Sequence, residues 1–380
     1  MFANSVGSTA QSGNEFSPRL VAMSDAVVIQ PKRKVLKRVL AWAIPFLLVV
    51  PVLVVSAWPS PYLIERPGPV YDALGKAAGT PIITIQGEKS YPTDGSLDLL
   101  TITFGDLAPR NASWLEVGMS YLDPSMDRVE KDLIYPPNVD SSQVEQEAET
   151  MMLDSQASAK AAALTLLNIP FKSSVRVTSV MKDTPSEGVL KANDIVLTVQ
   201  GEKARDIDQI REFVQQTEGK RPVVFEVIRD GKQKTVQITP VKLEGKWRIG
   251  IYVGEVPEFP FTIDITLDSV SGPSAGQIFA LAIYDKLTPG SLTGGNVIAG
   301  TGTVSPDGTI GKIGGIKSKM YGAVRAGAKY FLAPAENCSE VVGNIPSGLT
   351  VIKVATLKDS LSALQDIREG KTQNLTQCTK

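Results

Sequence analysis

Histidine is absent from this chain of 380 residues. A nucleophilic serine here therefore needs another proton acceptor, and Ser-His-Asp and Cys-His catalysis are excluded. Metal sites are limited to carboxylates, carbonyls and the two cysteines, Cys338 and Cys378. These form no Cys-x-x-Cys pair, so neither a metal nor a redox cofactor is expected. The serine best placed for chemistry is Ser274. It lies in Ser271-Gly-Pro-Ser-Ala-Gly276, between the alternating run Phe261–Leu267 and a small, apolar stretch from Ala275 onward. That pattern predicts a strand, a turn and a helix, with Ser274 at the helix start, where backbone N–H groups are unpaired and face a developing negative charge. The same pattern also describes an ordinary helix cap after a Gly-Pro turn.

A second segment carries lysines that could stand in for the absent histidine. Ile298-Ala-Gly-Thr-Gly302 leads into a hairpin turning at Pro306-Asp307-Gly308, then Gly314-Gly-Ile-Lys-Ser-Lys319 opens a small-residue helix expected over 316–328. A buried strand, Tyr330–Pro334, follows. Lys317 and Lys319 are two positions apart and lie on different faces of a helix, so one can point inward while the other is solvated. A lysine buried among small apolar residues loses proton affinity, because the ammonium is the form that burial disfavours.

Other elements must hold these residues. Val39–Trp58 contains no charged residue, and Lys32, Arg33, Lys34, Lys37 and Arg38 precede it. Twenty apolar residues span about 30 Å as a helix, the hydrocarbon thickness of a bilayer. The positive-inside bias places 1–38 in the cytoplasm as a disordered tail, 39–58 as a single membrane span, and the remainder outside the plasma membrane. A cleaved signal peptide is the alternative, and the long apolar run and long leader favour the anchor. Residues 59–80, rich in Pro and Gly, read as a stalk. Strands are expected at 82–85 and 97–104, and a helix at 142–167 capped by Ser141 or Ser142. Four runs between 173 and 243 alternate with period two, with a turn at Asp230-Gly231 and a short helix over Ile207–Gln216. With 39 basic and 40 acidic side chains, no concentrated basic face and no nucleic-acid partner are expected.

Two resemblances follow. Thr184-Pro-Ser-Glu-Gly-Val-Leu190, Asn193-Asp-Ile-Val196 and Val199-Gln-Gly201 resemble a PDZ domain over about 70 residues. PDZ domains add extended peptides to a sheet edge. The resemblance puts the carboxylate-binding loop at Phe171–Ser174, which lacks the usual glycines. GPSAG at 272–276, the GKIGGIKSK run ending at Lys319, and Ala326–Asn337 together resemble the proteolytic domain of Lon. That resemblance implies Ser274 as nucleophile, Lys319 as general base with Lys317 as its exposed neighbour, and Thr301 as the hydroxyl that positions the lysine. The Gly272 and Ser274 N–H groups are candidate oxyanion donors. Ser271 stands where the family usually has an acid, and Thr303 where it has a glutamate.

The expected fold class is α+β: a Lon-type proteolytic domain with a β-rich PDZ domain, after an N-terminal transmembrane helix. The boundaries read 81–168 for the first part of the protease fold, 169–243 for the PDZ domain, 244–368 for the proteolytic core and 369–380 for a tail. The PDZ domain is read as an insertion in the protease fold; a tandem order, with 81–168 separate, is the alternative. No G-x-x-x-x-G-K-[ST] run is present. Anchor, PDZ and Lon-like core together resemble the membrane-anchored proteases of the YlbL type. That resemblance implies ATP-independent cleavage of extracytoplasmic or membrane-tethered proteins; the resemblance to Lon-like domains, which often form rings, is all that points to a homo-oligomer, since the sequence itself does not give the oligomeric state. A non-catalytic PDZ receptor or chaperone with an inactive protease fold is the competing expectation, and a self-cleaving protein the third. Cys338 and Cys378 read equally well as a disulfide or as two free thiols.

Overall fold

The computed structural model describes Trp42, Phe46, Leu47 and residues 49–104, 111–137, 139–243, 245–267 and 270–379. The predicted tail 1–38, its basic cluster, part of the 39–58 run, and Asp268 and Ser269 ahead of the serine turn lie outside the described residues. Trp42, Phe46, Leu47 and residues 49–57 are helical, and Val49, Val50, Val52, Leu53, Val54 and Val55 are exposed. Among the described residues no helix is long and apolar enough to cross a membrane, so the expected span is not shown.

From Ser56 onward the chain forms one compact unit. It contains β1 (Tyr62–Asp72), β2 (Ile83–Gln86), β3 (Ser96–Thr103), α1 (Trp114–Ser120), β4 (Asp127–Glu130) and α2 (Ser141–Leu166). Next come β5 (Lys172–Val180), β6 (Ile195–Val199), α3 (Ile207–Gln216), β7 (Val223–Arg229), β8 (Lys232–Ile238), β9 (Ile251–Glu258) and β10 (Thr262–Ile265). The last part holds α4 (Gly276–Leu287), β11 (Val297–Gly300), α5 (Ile316–Arg325), β12 (Tyr330–Pro334), β13 (Thr350–Val354) and α6 (Leu357–Arg368).

The main sheet has six strands in the order β13-β12-β11-β3-β1-β4. β3, β11, β12 and β13 run parallel, and β1 is antiparallel to both of its neighbours. Alternation along the strands sends successive side chains to opposite faces. Leu97, Leu99, Ile298, Leu332, Ile352 and Val354 share one core with α2, α4 and α6. Leu100, Ala299, Phe331, Ala333 and Val351 share a second core with Ile316, Met320 and Ala323 of α5. The helix that follows Ser274 and the helix that carries Lys319 therefore cover opposite faces of one sheet.

The segment read as a stalk is instead an inner strand of this sheet. β1 pairs with β4 over 62–65 and with β3 over 66–72, and Leu63, Ile64 and Glu65 are buried. Pro67, Gly68 and Pro69 suggested a linker, but they sit at a register shift between Pro67 and Val70. A bulge is where a strand tolerates residues that cannot join the ladder. A Cβ at position 68 would lie 2.4 Å from Thr101 Oγ1.

The second sheet runs β8-β7-β6-β5-β9. Its core is Val175, Val177, Val196, Val199, Phe225 and Val227, closed by Ile210 and Val214 of α3. Asp230 and Gly231, both at positive φ, turn β7 into β8. Arg229 Nη2 lies 2.6 Å from Asp194 Oδ2, on a fully buried carboxylate. The expected boundary at 243 falls short: β9 pairs with β5 over eight residues, Ile251–Val180 through Glu258–Lys172, and completes this sheet. Most of the segment expected to form the carboxylate loop is strand instead. Lys172, Ser173 and Ser174 are already paired with β9, so the outer edge of the sheet belongs to β9, beside α3.

The chain leaves the first core after α2 and re-enters it at β10, which pairs with β2. Asp140, rather than Ser141 or Ser142, caps α2 by accepting from the Ser142 N–H at 2.9 Å. The expected C-terminal tail is tied down: Lys353 N–H donates to Thr376 O at 2.8 Å, and Cys338 and Cys378 are joined as a disulfide.

Candidate active site

Ser274 and Lys319 arrive from opposite faces of the sheet and meet beyond the carboxyl end of β11. This is where open α/β sheets place their ligands. Thr301, the first residue past β11, holds the junction. Its N–H donates to Leu332 O at 3.2 Å, and its hydroxyl donates to Ser274 O at 3.0 Å. Gly302 N–H donates to the same Ser274 carbonyl at 2.9 Å. The serine backbone is thus fixed by two donors from the end of one strand.

Lys319 is 2% exposed, and its Nζ donates to Ser274 Oγ at 2.7 Å and to Thr301 Oγ1 at 3.0 Å. Burial pulls its pKa down to about 8, and the charge of Glu65 partly opposes this. The hydrogen-bond directions are consistent with a base. Thr301 gives its one hydroxyl proton to Ser274 O, so toward Nζ it offers a lone pair and accepts an amine N–H. The lone pair of a neutral Lys319 is then left for the Ser274 proton. Lys317, expected to be exposed, is half-buried and donates from Nζ to Met126 O at 3.1 Å.

Local sequence explains the placement of both groups. Gly315 takes φ +72 and caps α5, and the N–H of Lys319 donates to its carbonyl at 3.0 Å. Position 319 falls on the face turned toward the core that also buries Ile316 and Met320. On the serine side, the turn is bolted to α2. Gly272 N–H donates to Ala148 O at 3.0 Å, and Ser155 Oγ donates to Pro273 O at 2.9 Å. Gly272 is consequently engaged and is not free to serve an oxyanion in this arrangement, a correction to its expected role. The Ser274 N–H makes no backbone hydrogen bond among the described residues. Thr303 and Ser271 flank the site, the first half-buried and the second exposed.

Sequence reasoning missed Glu65, which is 3% exposed and has a buried Oε1 without a hydrogen-bond partner. It also missed the part α2 plays in holding the turn. The run Tyr62-Leu-Ile-Glu65 carries a strand signal, but the Pro-Gly-Pro that follows obscured it.

Comparison with known proteins gives two domain matches. Residues 145–239 match the PDZ domain family, and residues 268–365 match the Lon protease (S16) C-terminal proteolytic domain. Of the first match, residues 145–166 belong to α2, which packs with the proteolytic core rather than in the second sheet. Among curated relatives, a Lon protease of Azospirillum brasilense is 36% identical over 93 residues, covering 24% of this chain and 11% of that protein. Lon protease 2 of Bacillus subtilis is 32% identical over 95 residues, covering 25% of this chain and 17% of that protein. The chain thus spans under a fifth of the length of these relatives. Among solved structures, the PDZ domain of an SdrC-like protein from Listeria monocytogenes is 22% identical, with a TM-score of 0.20, over 21% of this chain and 85% of that one. A solution structure from Geobacillus thermodenitrificans is 26% identical, with a TM-score of 0.18, over 19% and 84%. The two family matches put a PDZ-type segment and a Lon-type C-terminal protease segment in one chain.

Proposed function

We propose that this chain is a serine endopeptidase in which Ser274 is the nucleophile and Lys319 the general base. The observation that carries the reading is the 2.7 Å contact between Ser274 Oγ and the buried Lys319 Nζ. In the neutral form, Lys319 takes the Ser274 proton as Oγ bonds to the scissile carbonyl carbon, and the carbonyl oxygen becomes an oxyanion facing the Ser274 N–H. The ammonium then returns that proton to the leaving amine as the C–N bond breaks, which leaves an acyl-serine. Water repeats the sequence: Lys319 accepts its proton, hydroxide adds to the ester carbon, and Ser274 leaves with the proton restored.

The PDZ domain supplies peptide recognition. An extended segment adds to the free edge of β9, alongside α3, by backbone pairing. The chain needs no nucleotide for hydrolysis, is anchored by residues 39–58, and acts on extracytoplasmic or membrane-tethered proteins. The domain division that goes with this reading inserts the PDZ unit between α2 and β10 of the protease fold.

The test is casein hydrolysis by the full chain in detergent without nucleotide. Wild type is expected to cleave, and Ser274→Ala and Lys319→Ala to fall by at least about a thousandfold, the scale of losing an activated nucleophile. Hydrolysis that survives in Ser274→Ala contradicts the proposal.

A further inference from the structure

The buried acid that the mechanism leaves unused is Glu65. It reaches the site from β1, an element otherwise uninvolved in the chemistry. Its Oε1 lies against the first turn of α5: a Cβ placed on Gly315 would meet that atom at 2.6 Å and Ile102 Cγ2 at 3.0 Å. Gly315 is also the residue whose carbonyl accepts the Lys319 N–H. The carboxylate is thus wedged beneath the helical turn that carries the candidate base, and only a glycine leaves room for it. Oε1 has no hydrogen-bond partner, and the side chain is 3% exposed. A buried acid with an unpartnered oxygen costs stability, and the hydroxyl near it, that of Ser318, donates to Ser125 O at 3.0 Å.

The geometry points to Glu65 as a positioning residue for the Ser-Lys reaction, one whose charge sets the proton affinity of Lys319. Two buried groups of opposite sign in a low-dielectric site titrate as a pair. Removal of the acid's charge removes an attraction that the ammonium enjoys and the neutral amine does not. Burial holds the Glu65 carboxyl above its ordinary value, Ser318, Lys319 and Lys317 oppose this, and Asp127 on β4 adds to it. On the lysine side, burial is opposed by Glu65. The charged groups facing the pair are therefore Asp127 from β4 and Lys317 from α5 itself. The acid works against deprotonation. It keeps the resting lysine nearer its charged form, so that the base becomes available only as pH rises. This inference rests on the reading of Lys319 as the proton acceptor.

The experiment is a heteronuclear NMR titration of the Lys319 Cε resonance in the full chain in detergent, assigned by its loss in Lys319→Met. It is run for wild type, Glu65→Gln and Glu65→Asp, with the pH profile of casein hydrolysis beside it. Glu65→Gln is expected to move the Lys319 midpoint down by about one pH unit, a tenfold loss of proton affinity. The acidic limb of activity should move with it. Glu65→Asp keeps the charge and is expected to stay close to wild type. If Glu65→Gln does not fold, Glu65→Met, apolar and of similar volume, reports the same loss of charge. A midpoint unmoved or raised by Glu65→Gln overturns the inference, as does an equal shift in Gln and Asp variants, which would mark shape rather than charge. Hydrolysis that persists in Ser274→Ala with the expected shift present refutes the proposed function alone.

Discussion

At the scale of single residues, the account turns on one lysine that is expensive to bury. A depressed pKa means that the folded chain releases a proton which the unfolded chain keeps, over the window from about 8 to the ordinary 10.5. Stability therefore rises with pH through that window, and the penalty is fully present below pH 8. A shift of that size corresponds to about 3 kcal/mol. Lys319→Met retains the bulk without the charge, so it is expected to abolish hydrolysis and to raise Tm at pH 7. The gain should shrink toward zero by pH 10.5, and thermal melts across that range check it. That Ser274, Lys319 and Thr301 lie together was expected from the resemblance of their short motifs to the Lon proteolytic domain, and their side chains do meet. Glu65 was not legible. Its neighbours Pro67, Gly68 and Pro69 carry the composition of a linker, and only the pairing of β1 with β3 shows them to be a bulge. Gly272 was misassigned for a similar reason. Its N–H is taken by Ala148 O, a partner far upstream that no local pattern announces.

At the scale of elements, the site depends on four pieces, of which α2 is far from the others in sequence. α4 and α5 approach from opposite faces, β11 ends between them, and α2 clamps the serine turn from behind through Ala148 and Ser155. α2, β3 and the β7–β8 hairpin were readable from periodicity and turn residues. β9 was not, because it follows the short strands 241–243 and 246–248 and joins its sheet beside β5, a strand distant in sequence. The C-terminal segment was read as a tail, yet it crosses β13 and ends in the Cys338–Cys378 bridge, which spans a sequence separation of 40. A loop of that length restricts the unfolded chain by about 4 kcal/mol in the chain-entropy account. Cys378→Ser is expected to lower stability by a large share of that amount, read as a lower midpoint in urea titration. An unchanged midpoint would mean that the bridge does not tie the tail to the core.

At the scale of the whole molecule, one chain carries a segment that matches a PDZ domain and a segment that matches a Lon-type C-terminal protease domain. The second sheet leaves the first core after α2 and returns to it at β10, so the β9 edge and the serine turn are linked through one continuous helix and one strand. On the proposed function, substrate capture and cleavage would then share a common frame. The proposed anchor fixes that frame to a bilayer. Expressed in a bacterial host, the full chain is expected to stay with the membrane pellet after alkaline carbonate extraction, whereas a cleaved leader would release residues from about 59 onward into the supernatant. Recovery of the chain in the soluble fraction, with its N-terminus intact, contradicts anchoring and leaves the chemistry of Ser274 untouched.

The central claim is that Ser274 becomes nucleophilic by losing its proton to Lys319. The most direct measurement is the pre-steady-state burst with an activated ester, followed against pH. The account predicts one equivalent of leaving alcohol released per chain, with the acyl group retained on Ser274, at a rate that rises with pH through a midpoint near the lysine value of about 8, and no burst in Ser274→Ala or Lys319→Met. A burst that survives either substitution, or a rate that is flat across that midpoint, contradicts it.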